Sequence, residues 1–269
     1  MLAAAAAACS GAGTSAPGSG RPVVAVSVLP QAYFVDRLAR GAADVEVMIP
    51  PGGSPHTYEP TVHQMKALAR ARLYLSVGHP HFAFEQVWLE GLVGSGDLRI
   101  VPIGAGVPCR DEDDPHVWVS PAAARVVARN VADALVEILP DRRDAIAAEL
   151  ASFLVEIDAV DAEIRAVLRQ RHRSTFVVFH PAWGCFAADY GLEQLAIEDE
   201  GKEPTAGRLA LLIERARAQG VRTVLVQPQF SRESAEIIAR ELGAEVRTVD
   251  PLARDWPTMM RSLAQAVAS

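Results

Sequence analysis

Cysteine is scarce in this chain, with 3 in 269 residues, at positions 9, 109 and 185. That is too few for a small disulfide-framed scaffold. Aromatic residues make up only 6%. No block of five or six consecutive Lys or Arg occurs, and 33 Asp+Glu outnumber 26 Lys+Arg for a net charge of −7. The cationic patch that nucleic acid demands is therefore missing. His-Glu-x-x-His and Gly-x-Ser-x-Gly are absent as well, so two common hydrolase signatures are excluded. Beyond the first residues, no apolar run is long enough to span a bilayer. What remains is a chain of 50% apolar and 22% charged residues. Such a composition builds a packed core rather than a disordered or collagen-like chain. The length suits one large domain or two small ones.

Met1–Cys9 consists of Met, Leu, six Ala and Cys, followed by a Gly/Ser-rich stretch through Gly20. The run resembles the back half of a bacterial lipoprotein signal with Cys9 as the acylated residue, although no Lys or Arg precedes it. On this expectation residues 1–21 are truncated signal and flexible linker. The protein then lies in the periplasm or cell envelope and meets the membrane only through a lipid anchor.

Short runs rich in Val and Ile alternate with helical patterns along the rest of the chain. Strands are expected at Val23–Leu29, Val45–Ile49, Leu73–Val77, Arg99–Ile103, Phe176–Phe179, Gln194–Ile197, Thr223–Val226 and Glu245–Val249. Near-continuous apolar runs are the mark of parallel strands buried on both faces. Helices are expected at Gln31–Arg40, Val62–Ala71, Phe82–Val93, Ala182–Tyr190, Ala206–Gln219, Arg232–Leu242 and Asp255–Val267. The βα rhythm occurs twice and predicts two α/β lobes, each with a mainly parallel four-stranded sheet. Between them Pro121 to Leu139 predicts one helix. Asp141 to Gln170 predicts a longer one, with Leu150, Phe153, Leu154, Ile157, Val160, Ile164, Val167 and Leu168 forming an apolar stripe. Some 30 helical residues would run about 45 Å, a rigid strut rather than a floppy hinge. The expected division is a lobe over 22–140, a linking backbone helix over 141–172 and a second lobe over 173–269.

Three histidines and one aspartate each follow an expected strand: His56 in Pro50–Pro60, His116 in Asp113–Pro121, His180 in His180–Gly184, and Asp250 in Asp250-Pro251-Leu252. Open α/β sheets bind ligands at their carboxyl edges. If the two edges face each other, these four side chains converge in the cleft between lobes. Three imidazoles plus a carboxylate suit tetrahedral zinc, while Mn(II) prefers more oxygen. A proline beside each restricts the backbone that aims it.

The segments PGGSPHTYEPT (51–61), DPHVWVSP (114–121), FHPAWGCFAADYGL (179–192), VQPQFS (226–231) and VDPL (249–252) resemble the metal-binding solute-binding proteins of zinc and manganese ABC importers, the ZnuA/TroA-like group. The resemblance runs from Val23 to Ala268. It implies two α/β lobes joined by one long helix, with metal in the interlobe cleft, and ligands at His56, His116, His180 and Asp250. His at the third position resembles the zinc-type members; the manganese-type members carry Glu there. The implied function is capture of Zn(II) and delivery to an ABC permease by a monomer, without bond-making chemistry. Two departures stand out. The stretch before the second ligand, Gly104–Asp114, is short and holds acidic residues but no His, and Cys185 replaces a frequent aromatic residue.

Other residues near the expected cleft carry expectations too. Glu59 could accept an imidazole N–H, and Trp118 and Trp183 could wall the metal from water. His79 and His81 follow the third strand and offer either a transient cation contact or a plain polar loop. Cys109 and Cys185 read first as buried free thiols, although an oxidising envelope would permit a disulfide between lobes. Glu198, Asp199, Glu200 and Glu203 read as a solvated acidic loop. A zinc hydrolase, with Glu59 as base and an open water position, is the reading from a different class. A change of cargo to Mn(II) or Fe(II) is the reading within the same class.

Overall fold

The computed structural model describes residues 20–89, 98–109, 113–170, 174–198 and 204–268. Cys9, the acidic residues Asp111 and Glu112, and Asp199, Glu200 and Glu203 lie outside the described residues. All eight expected strands form. β1 (Val23–Val26), β2 (Asp44–Val47), β3 (Leu73–Ser76) and β4 (Arg99–Pro102) make one sheet in the order β2-β1-β3-β4. β5 (Thr175–Val178), β6 (Glu193–Ala196), β7 (Thr223–Val226) and β8 (Glu245–Thr248) make a second in the order β6-β5-β7-β8. Every pairing is parallel. The central strands β3, β5 and β7 are buried throughout, in keeping with sequences that are apolar at three of four positions. The edge strand β2 is only half-buried, and there Asp44 and Glu46 alternate with valines.

Both sheets reverse winding direction at the same place, between β1 and β3 in one and between β5 and β7 in the other. Loops leaving such neighbouring strands diverge and open a crevice at the carboxyl edge. Flanking helices are α1 (Leu29–Ala39), α2 (Val62–Leu68), α3 (Ala83–Trp88) and α4 (Pro121–Ile138) on the first half, and α6 (Gly184–Asp189), α7 (Ala206–Ala218) and α8 (Arg232–Leu242) on the second. The third expected helix, Phe82–Val93, begins on schedule, and its expected end lies outside the described residues.

The strut is α5 (Arg143–Leu168), 26 residues, or about 39 Å of helix. It starts after a short 3₁₀ turn at Pro140–Arg142, because Pro140 cannot continue α4. Ile146, Phe153, Ile157, Val160, Ile164 and Leu168 are its buried residues. They form one stripe, and α5 lies along α4 and α9 (Trp256–Ala268) and against α1. Ion pairs flank the stripe: Arg37 to Glu149 at 2.7 Å and to Glu156 at 2.9 Å, and Arg125 to Asp158 at 2.7 Å. Part-exposed pairs of this kind contribute little stability each. Apolar burial does most of the fixing.

Strand alternation divides the core. Phe176, Val178 and Leu225 face one cluster, shared with β1, α1, α5 and α9, while Val177, Val224 and Val226 face a second cluster with Ile238 and Leu242 of α8. The chain's last helix thus leaves the second sheet and packs into the core that the first sheet began. Trp256 anchors it. Its ring stands edge-on to Phe34 and Phe153 at centroid distances of 6.0 and 6.5 Å, and its Nε1 donates to the Trp118 carbonyl at 2.6 Å. Among the described residues no helix is long and apolar enough to cross a membrane.

Candidate metal site

The loop after β2 carries His56. It turns at Gly52, whose φ of +80° would strain any side chain, and Ser54 then holds it: its Oγ accepts from the His56 amide at 3.3 Å and its carbonyl from Tyr58 at 2.9 Å. His116 lies on the loop between β4 and α4, just before the helix stop-and-start signal Ser120-Pro121. Ser120 caps α4 by accepting from the Ala123 amide at 3.1 Å. His180 leaves the end of β5, and Gln227 of the neighbouring β7 loop clamps its backbone, donating to the His180 carbonyl at 2.7 Å and accepting from its amide at 3.3 Å.

These loops bring three imidazoles together across the cleft. The Nε2 atoms of His56 and His180 are 3.4 Å apart, and their rings meet edge-on at 4.9 Å between centroids. His116 meets His180 in the same manner at 5.3 Å. They line a cavity of about 20 Å³ with Gln229, Phe230 and Leu252. That volume holds something the size of one water or one ion, far below the several hundred Å³ typical of organic ligands. Phe230 stacks on the His180 ring at 5.2 Å.

Asp250 stands beside this cavity rather than among the side chains lining it. Its Oδ1 accepts from Gln229 Nε2 at 3.1 Å and from the Leu252 amide at 2.9 Å. Both of these partners line the cavity themselves.

Two buried carboxylates aim the rings. His180 Nδ1 lies 3.1 Å from Glu198 Oε2, and His116 Nδ1 lies 2.7 Å from Asp114 Oδ1. A carboxylate can only accept, so each Nδ1 carries the proton and each Nε2 lone pair is left for a cation. Asp114 also accepts from the His116 amide at 2.9 Å and, across the cleft, from the Cys185 amide at 3.3 Å. Burial opposes its ionisation, but the His116 ring and these amides outweigh burial and hold its carboxyl below the usual range.

The expected acceptor Glu59 is instead exposed; for His116 and His180 that role falls to Asp114 and Glu198. Glu198 is only 9% exposed, so its reading as part of a solvated loop is corrected. It sits just past β6, and pairing of β5 with β6 carries it to His180. Trp118 is fully buried, edge-on to His116 at 5.5 Å, and its Nε1 donates to the Pro251 carbonyl at 2.7 Å. Trp183 is equally buried, and neither indole is among the residues lining the cavity. His79 and His81 stand together at 5.5 Å between ring centroids, with His81 Nδ1 3.6 Å from Asp113 Oδ1, outside that lining.

The free-thiol expectation for Cys109 and Cys185 is also corrected. They form a disulfide with Cα atoms 5.2 Å apart. One follows β4 and the other opens α6.

Desolvation and the neighbouring His180 and His116 rings lower the proton affinity of His56. Protons and a metal compete for Nε2, so metal affinity should hold steady near neutrality. At His56 that competition should set in only at more acidic pH than for an ordinary imidazole. Competition against a chromophoric chelator from pH 8 to pH 5 measures this. Affinity that rises on acidification would contradict it.

Twin parallel α/β lobes braced by one helix, with an ion-sized, imidazole-lined cleft between them, are the architecture of metal-binding solute-binding proteins. The chain belongs to the family described as zinc-uptake complex component A, periplasmic, or ZnuA, whose sequence model matches residues 24–269. A crystal structure of ZnuA is 38% identical and superposes with a TM-score of 0.86, covering 92% of this chain and 98% of that one. A zinc-bound deletion mutant of ZnuA, also 38% identical, gives a TM-score of 0.85 over 92% of this chain and 97% of that one. The zinc-binding lipoprotein AdcA of Streptococcus pneumoniae serotype 4 is 27% identical over 260 residues, which is 87% of this chain. The chain spans about half the length of that lipoprotein, 50%.

Proposed function

We propose that this protein captures Zn(II) outside the cytoplasm and hands it to an ABC permease, with His56, His116, His180 and Asp250 as the ligands and Cys9 as the acylated anchor. The observation that carries the reading is the 3.4 Å separation of the His56 and His180 Nε2 atoms. Two nitrogens bound at about 2.0–2.1 Å to a tetrahedral zinc stand about 3.3–3.4 Å apart. This pair of nitrogens is therefore already spaced for the ion. The Nδ1 carboxylates fit the pattern in which an acceptor behind each imidazole fixes its tautomer and raises its basicity. The zinc-bound ZnuA relative supports the choice of cargo. For Asp250 to complete the set, one oxygen must turn into the cavity, and the hydrogen bonds from Gln229 and Leu252 limit how far it moves.

Elemental analysis after loading at neutral pH, followed by X-ray absorption spectroscopy, tests the assignment. One zinc per chain with three nitrogens and one carboxylate oxygen is expected. A metal-bound water in place of the fourth protein ligand would favour a hydrolase, and an oxygen-rich shell holding Mn(II) would shift the cargo. The buried acceptors have their own test. Asp114→Asn and Glu198→Gln should each weaken zinc binding by about 10- to 100-fold while leaving one equivalent bound at saturation. Unchanged affinity in both would show that the carboxylates do not act on the metal.

A further inference from the structure

The Cys109–Cys185 disulfide joins the two halves of the chain one side chain removed from the His116 ring. Cys109 ends the described part of the loop leaving β4, and Cys185 opens α6 five residues past His180. Asp114 stands between this bridge and a proposed ligand. A carboxylate oxygen of Asp114 lies within 4.8 Å of both sulfurs. Its Oδ2 accepts from the Cys185 amide, and its Oδ1 holds the ring and the amide of His116. Asp114 is 5% exposed, so water offers it little alternative. The orientation of His116 thus depends on a carboxylate braced against a covalent link between the lobes.

We propose that this disulfide is a redox-sensitive latch that fixes His116 for cation retention, and that its reduction speeds metal release. The proposal rests on the assignment of His116 as a ligand. Cysteine 185 is 2% exposed while Cys109 is only half-buried, so a dithiol reductant must enter at Cys109. Its thiolate attacks Cys109 Sγ, and the S–S electron pair leaves on Cys185 Sγ, which takes a proton from solvent. The second thiolate of the reductant then attacks the mixed disulfide and frees Cys109 as the thiolate, which is protonated in turn. The protein gains two electrons and two protons, and the dithiol becomes a disulfide. The loop bearing His116 then keeps only non-covalent contacts to α6, and Asp114 is free to turn from the ring.

The test compares zinc transfer to a chromophoric chelator from the zinc-loaded chain, oxidised and after treatment with a non-chelating phosphine. Release is expected to be about tenfold faster or more after reduction, the scale for disturbing a metal ligand's hydrogen-bond partner. Reoxidation should restore the slow rate. The Cys109→Ser/Cys185→Ser variant should release zinc at the fast rate and ignore the phosphine. Circular dichroism monitors folding throughout. Equal rates in the oxidised and reduced chain overturn the latch and leave zinc capture standing. Unfolding on reduction also overturns it, since the bridge would then be a general staple. An oxidised chain that takes up no zinc overturns the capture reading and the latch with it.

Discussion

His180→Ala should leave the protein folded but nearly free of zinc. His180 is the ring the other two meet, His56 at 3.4 Å between Nε2 atoms and His116 at 5.3 Å between centroids. Removing it takes away one of four proposed donors and strands the buried Glu198 without its imidazole partner. Structural zinc sites hold their ion with about 10–16 kcal/mol. An even share for one of four ligands is about 2.5–4 kcal/mol, or roughly 10²–10³ in affinity. Elemental analysis after dialysis against a weak chelator should find the wild type near one zinc per chain and the variant near none. Unchanged thermal melting of the metal-free forms would show that the loss is local. Full zinc retention by the variant would remove His180 from the ligand set.

The largest effect on stability is expected at Trp256. Trp256→Ala should cost about 3–5 kcal/mol, the usual range for deleting a buried aromatic residue. Its ring is fully buried against Phe34 of α1 and Phe153 of α5, and its indole N–H satisfies the Trp118 carbonyl. Three elements distant in sequence thus lose a common partner at once. Trp256→Phe should recover most of the packing yet leave that carbonyl unpaired, a loss of about 1–3 kcal/mol. Because the Trp118 ring faces His116, the Ala variant should also bind zinc less tightly than its stability change alone implies. Urea unfolding of the metal-free chain, followed by zinc titration under native conditions, reads both. A stability change below about 1 kcal/mol would mean that α9 is held elsewhere.

How much of this was legible in the sequence varied by kind of feature. The strands were legible because burial on both faces leaves a near-continuous apolar signature, as in Val224–Val226 of β7. The histidines were legible because each lies in a loop that leaves the carboxyl end of a strand, His180 directly after β5 and His56 and His116 farther along the loops after β2 and β4. Glu198 was not, because its partner is 18 residues away; only the pairing of β5 with β6 sets it beside His180, and an acidic run reads as solvated by default. Asp114 lay in plain view two residues before His116, but its reach to Cys185 crosses from one half of the chain to the other. The disulfide was undetermined for the same reason, since spacing of 76 residues says nothing about Cα separation. The last helix was expected over Asp255–Val267, but helical periodicity does not name the surface a helix will cover.

That last helix sets a constraint on how the molecule can be made. Met259, Met260 and Leu263 share one core with Val24 and Phe34, so β1 and α1, once they emerge from a ribosome or a translocation pore, wait for more than 200 further residues before these hydrophobic partners arrive. Contacts of such long sequence separation slow folding and leave sticky surface uncovered in the interim. A chain halted a dozen residues early would expose α1 and α5 together, and quality-control proteases would meet an open first lobe rather than a merely shortened second one.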